Sequence, residues 1–221
     1  MDKKTWQIYI KDRFYLLESF LNEQVKIRNE QRTRLKTLQE KKASSDYSEE
    51  YIEREQAKFE TEKRIQNQLA YDKALELIGK LTETMQARQD EPVDLADANL
   101  TNALSILNLA GSKLDIGELI KLVDQFTGNP AALKTLKSVF ENQDLAFGVK
   151  LVDDRLYEPA FVKLAFEENA FYTFLQAGSL NSFASVVNRI AQKEGLTFPK
   201  EGELIDPEGA TEQMFAAAGL G

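Results

Sequence analysis

The chain has 221 residues, 43 % of them apolar and 29 % charged, with a formal net charge of −8; this is ordinary for a folded globular protein and enough for one sizeable core or two small ones. It contains no cysteine and no histidine, which excludes disulfides, thiolate nucleophiles, cysteine- or histidine-ligated zinc, and any catalytic triad or dyad with an imidazole base. Only carboxylates, lysines and tyrosines remain for catalysis, so the expectation is a non-enzymatic chain without metal or cofactor.

Residues 1–91 contain no proline and one glycine, Gly79, and carry two charged helical patterns of similar length separated by Ala43-Ser44-Ser45-Asp46. Lys26 to Lys42 holds seven basic and two acidic residues, and Asp46 to Glu62 holds seven acidic and two basic ones. Folding back at Ser44 sets these opposite flanks side by side, so the pattern predicts an antiparallel helical hairpin of the coiled-coil type. In the first helix Ile10, Phe14, Leu17 and Leu21 repeat at 4-3-4 spacing, and the register continues through polar Gln24, Arg28 and Gln31 to Leu35 and Leu38. Trp6, Ile8, Tyr9, Leu16 and Phe20 add a second apolar stripe, more than a two-helix contact needs. The second helix shows Tyr51, Ile52 and Phe59, then Ile65, Leu69, Tyr71, Leu75, Ile78 and Met85. Asp46 with Glu49 reads as its capping pair, and the acidic first turns suit the helix dipole. About 40 residues per helix gives a rod about 60 Å long.

Asp90-Glu91-Pro92 ends the rod, and shorter helical patterns punctuated by glycine and proline follow. Helices are expected near Leu95–Ala110, Asp115–Phe126, Pro130–Glu141, Pro159–Gln176 and Ser179–Lys193, with C-caps at Gly111, Gly128, Gly178 and Gly195 and an N-cap at Asn129-Pro130. Leu145 to Val152 is short and partly alternating, and reads as an irregular connection in preference to a lone strand. The helix after Pro159 carries Phe161, Phe166, Phe171, Tyr172 and Phe174 and reads as the central helix of the bundle, its aromatics core and not a ligand pocket. Beyond Gly195 a linker-like stretch leads to a short helical pattern containing Met214 and Phe215. The expected organisation is all-α: hairpin 1–91, helical bundle 92–195, and linker with terminal helix 196–221.

Four constellations carry functional readings. The basic run provides candidate phosphate contacts at Lys26, Arg28, Arg32, Arg34 and Lys36; against this, the acidic flank lies opposite and no aromatics are interleaved for base stacking. Residues 92–221 hold ten basic and 18 acidic side chains, which disfavours nucleic-acid binding by that part. The hairpin base, with Trp6, Tyr9, Phe14, Leu17, Phe20 and Leu21, is either covered by the bundle or a surface for self-association; intramolecular cover is preferred, because large exposed apolar patches are unusual on monomers. The tail, with Met214 and Phe215, is either a tethered helix-in-groove ligand for a partner or a frayed terminus. The adjacent carboxylates Asp153-Asp154 and Glu167-Glu168 do not converge on one ligand, because successive helical residues diverge by about 100°. No stretch of about 18 apolar residues and no signal-peptide h-region is present, so the expected location is cytoplasmic, without membrane association.

In layout, with a charged hairpin, an acidic helical body and a tethered terminal helix, the chain resembles the structural and scaffolding-type assembly proteins of tailed bacteriophages. That resemblance implies a long self-associating coiled-coil element, a terminal helix that engages a capsid or other virion protein, and a place in the host-cell cytoplasm or the virion. The tail departs from it: residues 207–221 contain Glu208 and Glu212 and no cation, whereas scaffolding terminal helices are often basic. The reading is therefore an interaction protein that organises assembly through coiled-coil self-association and helix docking, with itself or a virion protein as partner. The alternative is a nucleic-acid-associated adaptor using residues 26–42.

Overall fold

The computed structural model describes residues 3–44, 46–90, 92–94, 96–110, 113–156, 158–176, 178–196 and Asp206, with backbone alone for residues 3–7. Helix accounts for 84 % of the described residues and none of them is in a strand, so the fold class is all-α. No helix among the described residues is long and apolar enough to cross a membrane.

Helices α1 (Lys3–Ala43) and α2 (Glu49–Gln89) have 41 residues each. They run antiparallel, since Gln31 donates to Gln66 across the pair and Arg34, further along α1, meets Glu62, earlier in α2. In the turn the Ser44 hydroxyl donates to the Asp46 carboxylate at 2.7 Å. Asp46 is thus occupied inside the turn and does not cap α2 as expected. The N-cap is Ser48, whose hydroxyl accepts from the Tyr51 amide. The cap two residues later still leaves Glu49 and Glu50 in the first turn, where the helix dipole favours them.

Five more α-helices and a sixth interrupted one follow: α3 (Ala98–Ala110), α4 (Ile116–Asp124), α5 (Pro130–Asn142), α6 (Ala146–Arg155), α7 (Pro159–Ala170), which runs into a π-helical turn (Phe171–Leu175), and α8 (Leu180–Lys193). They serve two cores. The first joins Ile10, Phe14, Leu17, Phe20 and Leu21 of α1 and Ala74, Ile78, Leu81 and Met85 of α2 to Phe166, Phe174, Phe183 and Val187 from α7, the π turn and α8. The second is built by α3–α6 around Leu107, Val123, Leu136, Phe140 and Val152. The stretch 92–195 therefore divides: α3–α6 close on themselves, and α7–α8 close on the hairpin. The second body meets the hairpin side where Lys134 of α5 reaches Gln89 and where Gly128, at φ +77°, lies against the end of α8.

Local signals explain most helix starts. Asp115 and Glu118 form a reciprocal capping box at α4, and Asn129 accepts from the Ala132 amide ahead of Pro130 at α5. The expected connection at Leu145–Val152 is instead part of α6. Gly148 there is no breaker: a Cβ on it would lie 2.7 Å from the Phe140 ring, so glycine permits the close crossing of α5 and α6. Lys137–Asp153 and Arg155–Asp124 ion pairs then tie α6 to α5 and α4.

Candidate interaction surface

The hairpin base is spent internally. Phe14, Leu17, Phe20 and Leu21 are all at most 5 % exposed, because α7, the π turn and α8 lie over them and Phe20 packs on Phe174 with ring centroids 5.6 Å apart. These four expected interaction residues are core in this fold and present no free surface. Tyr9 stays exposed, and with Ile8, Tyr15 and Leu16 it forms a face of α1 turned away from the core. Trp6 is within α1, but its side chain lies outside the described residues, as do Met214 and Phe215.

A second apolar face lies on the helix that the sequence reads as wholly core. Val162, Phe166, Ala170, Thr173 and Phe174 point inward, whereas Phe161 is 68 % exposed, Tyr172 64 % and Leu164 52 %, with Phe171 exposed beside them. At 100° per residue Phe161, Leu164 and Tyr172 fall in one sector and Phe166 on the other side. The five-residue step from Phe161 to Phe166 contains that information; counting aromatics without a helical wheel misses it. Tyr71 of α2 meets Phe171 edge-on, and Phe171 meets Tyr172 the same way, so the face continues onto the hairpin.

The basic run has been turned to internal use at its arginines. Arg34 pairs with Glu62 and stacks over Phe59. Arg28 donates to the carbonyls of Thr173 and Gly178, at 2.5 and 2.8 Å. Arg32 makes a two-pronged pair with the Asp206 carboxylate, both contacts at 2.9 Å. Lys26 and Lys36 are exposed. Of the five candidate phosphate contacts, the three best suited to forked recognition therefore already hold protein groups.

The acceptors of Arg28 have a local cause. In the π turn the Tyr172 carbonyl accepts from the Gly178 amide at 2.7 Å, and a Cβ on Gly178 would lie 2.6 Å from that oxygen, so only glycine makes the reversal. The helix end leaves carbonyls without intrahelical donors; Arg28 of α1 donates to that of Thr173 and also to the Gly178 carbonyl in the connection to α8. Where the rod leaves the body, an open groove of about 510 Å³ has polar walls from α2, including Glu60, Lys63 and Arg64, above Phe174 and Leu175. The adjacent carboxylates are engaged singly, Asp153 by Lys137 and Glu167 by Lys163. Among the described residues no three acidic groups gather as a metal site would need.

Comparison with known protein families, curated proteins and solved structures finds no match to this chain.

Proposed function

We propose that the protein is a non-enzymatic assembly module that binds protein partners, another copy of itself among them, through the exposed aromatic face of α7 and its projecting hairpin. The observation that carries the reading is that face: Phe161, Leu164, Phe171 and Tyr172 are exposed in one sector, and contiguous aromatic surface of this kind is typical of protein–protein contacts. The engagement of Arg28, Arg32 and Arg34 within the chain weighs against the nucleic-acid adaptor. Scaffold-type assembly of a virion is the specific form, with a capsid protein as the partner class, and a gene neighbourhood encoding portal and capsid proteins would support it.

The test is light scattering of the full chain beside a Phe161→Ser, Leu164→Ser, Tyr172→Ser variant. The wild type is expected to exceed the monomer mass with rising concentration. The variant, with an unchanged circular-dichroism spectrum, is expected to remain monomeric. Equal masses for the two across the concentration range would remove self-association through this face.

A further inference from the structure

Asp206 lies ten residues beyond Leu196, yet its side chain is 1 % exposed and it is held from two directions. Its carboxylate takes both prongs of Arg32 on α1. Its backbone is read by one side chain of α8: the Asn181 amide donates to the Asp206 carbonyl at 2.8 Å and the Asp206 N–H donates to Asn181 Oδ1 at 3.0 Å. One helical turn before Arg32, Arg28 grips the Thr173 and Gly178 carbonyls. Ser179, next to Gly178, caps α8 by accepting from the Asn181 amide, and Thr173 donates to the Ser179 carbonyl. The rod, the α7–α8 reversal and Asp206 thus share one chain of hydrogen bonds.

From this we infer that Arg28 and Arg32 form a two-point clamp that couples the rod to the chain at Asp206, so that releasing either loosens the other. Among the described residues, few buried side chains fix the angle of the projecting part of the hairpin. Between Glu49 and Leu69 only Ile52 and Phe59 are buried among the side chains of α2, and the contact between Gln31 and Gln66 there is polar. Guanidinium chemistry is what the clamp needs: Arg28 spans two carbonyls and Arg32 matches both carboxylate oxygens, and an ammonium cannot do either with the same geometry. Coupling of this kind is reciprocal. It gives the interaction module a means of transmitting partner binding at the rod to Asp206, or the reverse.

The experiment is amide hydrogen exchange on the full chain, comparing wild type with Asn181→Ala and Arg28→Lys. Asn181→Ala alters only the contact between α8 and the C-terminal segment, and is expected to speed exchange in the rod, residues 31–43 and 49–66, about tenfold, the scale of one or two lost hydrogen bonds. Arg28→Lys alters the contact between rod and reversal, and is expected to speed exchange at the Asp206 amide, which donates to Asn181 Oδ1, by a similar factor. Amides of α3–α6 serve as the internal standard and should not change. Faster exchange confined to the segment next to each substitution would overturn the coupling, as would no change in either variant. Should Arg28→Lys accelerate exchange throughout, Asp206→Asn, which leaves both arginines in place and keeps one oxygen acceptor for Arg32, gives the same reading.

Discussion

Gly148→Ala is expected to destabilise the protein, although the same change at Gly79 should stabilise it. In a helix interior alanine is favoured over glycine by about 0.5–1 kcal/mol, through backbone entropy. At Gly79, within α2, no atom lies within 4 Å of a new Cβ, so that gain is realised in full. At Gly148 the new methyl would stand 2.7, 2.8 and 3.0 Å from three carbons of the Phe140 ring, where carbon contacts rest at about 3.5–4.0 Å. Phe140 is fully buried in the α3–α6 core, so the ring has nowhere to swing and α6 must back away from α5. Overpacking of this kind costs about 1–3 kcal/mol; with contacts this short at a buried ring the cost falls toward the upper end, and after the propensity gain of about 0.5–1 kcal/mol the net loss is about 1–2.5 kcal/mol. Urea titration followed by circular dichroism reads the difference as a lowered midpoint for Gly148→Ala and a raised one for Gly79→Ala. Adding Phe140→Leu to Gly148→Ala makes room for the methyl and should recover part of the loss, a non-additivity of at least about 0.5 kcal/mol. A Gly148→Ala protein as stable as wild type would refute the close crossing and with it the packing assigned to α6.

The hairpin base offers a second contrast between sequence neighbours. Leu17 is 0 % and Leu16 46 % exposed, so Leu17→Ala should cost about 2–5 kcal/mol and Leu16→Ala within about 0.5 kcal/mol of nothing, as measured by thermal or urea unfolding. A third prediction concerns charge on the surface of α2. Hydrogen bonds from Lys73 first and Lys80 second, with their positive charges, lower the Glu76 carboxyl from 4.5 to about 2. Because the folded value is the depressed one, whatever stability the cluster gives is present above the ordinary carboxylate pKa and is lost as pH falls from about 4.5 to about 2. Carboxyl NMR should place the Glu76 midpoint near 2, and Lys73→Ala should move it upward; an unmoved midpoint would exclude that pairing.

What could be read from sequence was local. The 4-3-4 spacing from Ile10 to Leu21 placed all four side chains in a core, and the opposite charge of the two flanks located the turn at Ser44. Asp46 and Glu49 match the capping-box spacing in sequence, but the Ser44 hydroxyl engages Asp46 and leaves Ser48 to cap the helix. Leu145 to Val152 reads as a connection because the reason for glycine at 148 is Phe140, on another helix. The assignment of α7 and α8 to the hairpin core rests on contacts such as Phe20 with Phe174, for which neither segment carries a local signature. The same holds for Arg28, whose acceptors lie 145 and 150 residues away. In sequence it is one cation in a basic run, and only the fold shows which carbonyls it meets.

The fold requires the hairpin to close within one chain under its own α7 and α8. Because the chain has no native cysteine, Gln31→Cys with Gln66→Cys creates a unique pair at positions whose side chains meet in the closed hairpin. Treating a mixture of light and isotopically heavy protein with a short bis-maleimide, followed by mass spectrometry, should give light–light and heavy–heavy linkages within monomers, in a yield unaffected by dilution. Linkages joining light to heavy chains, fading on dilution, would show the two helices pairing between molecules and would contradict the closed hairpin.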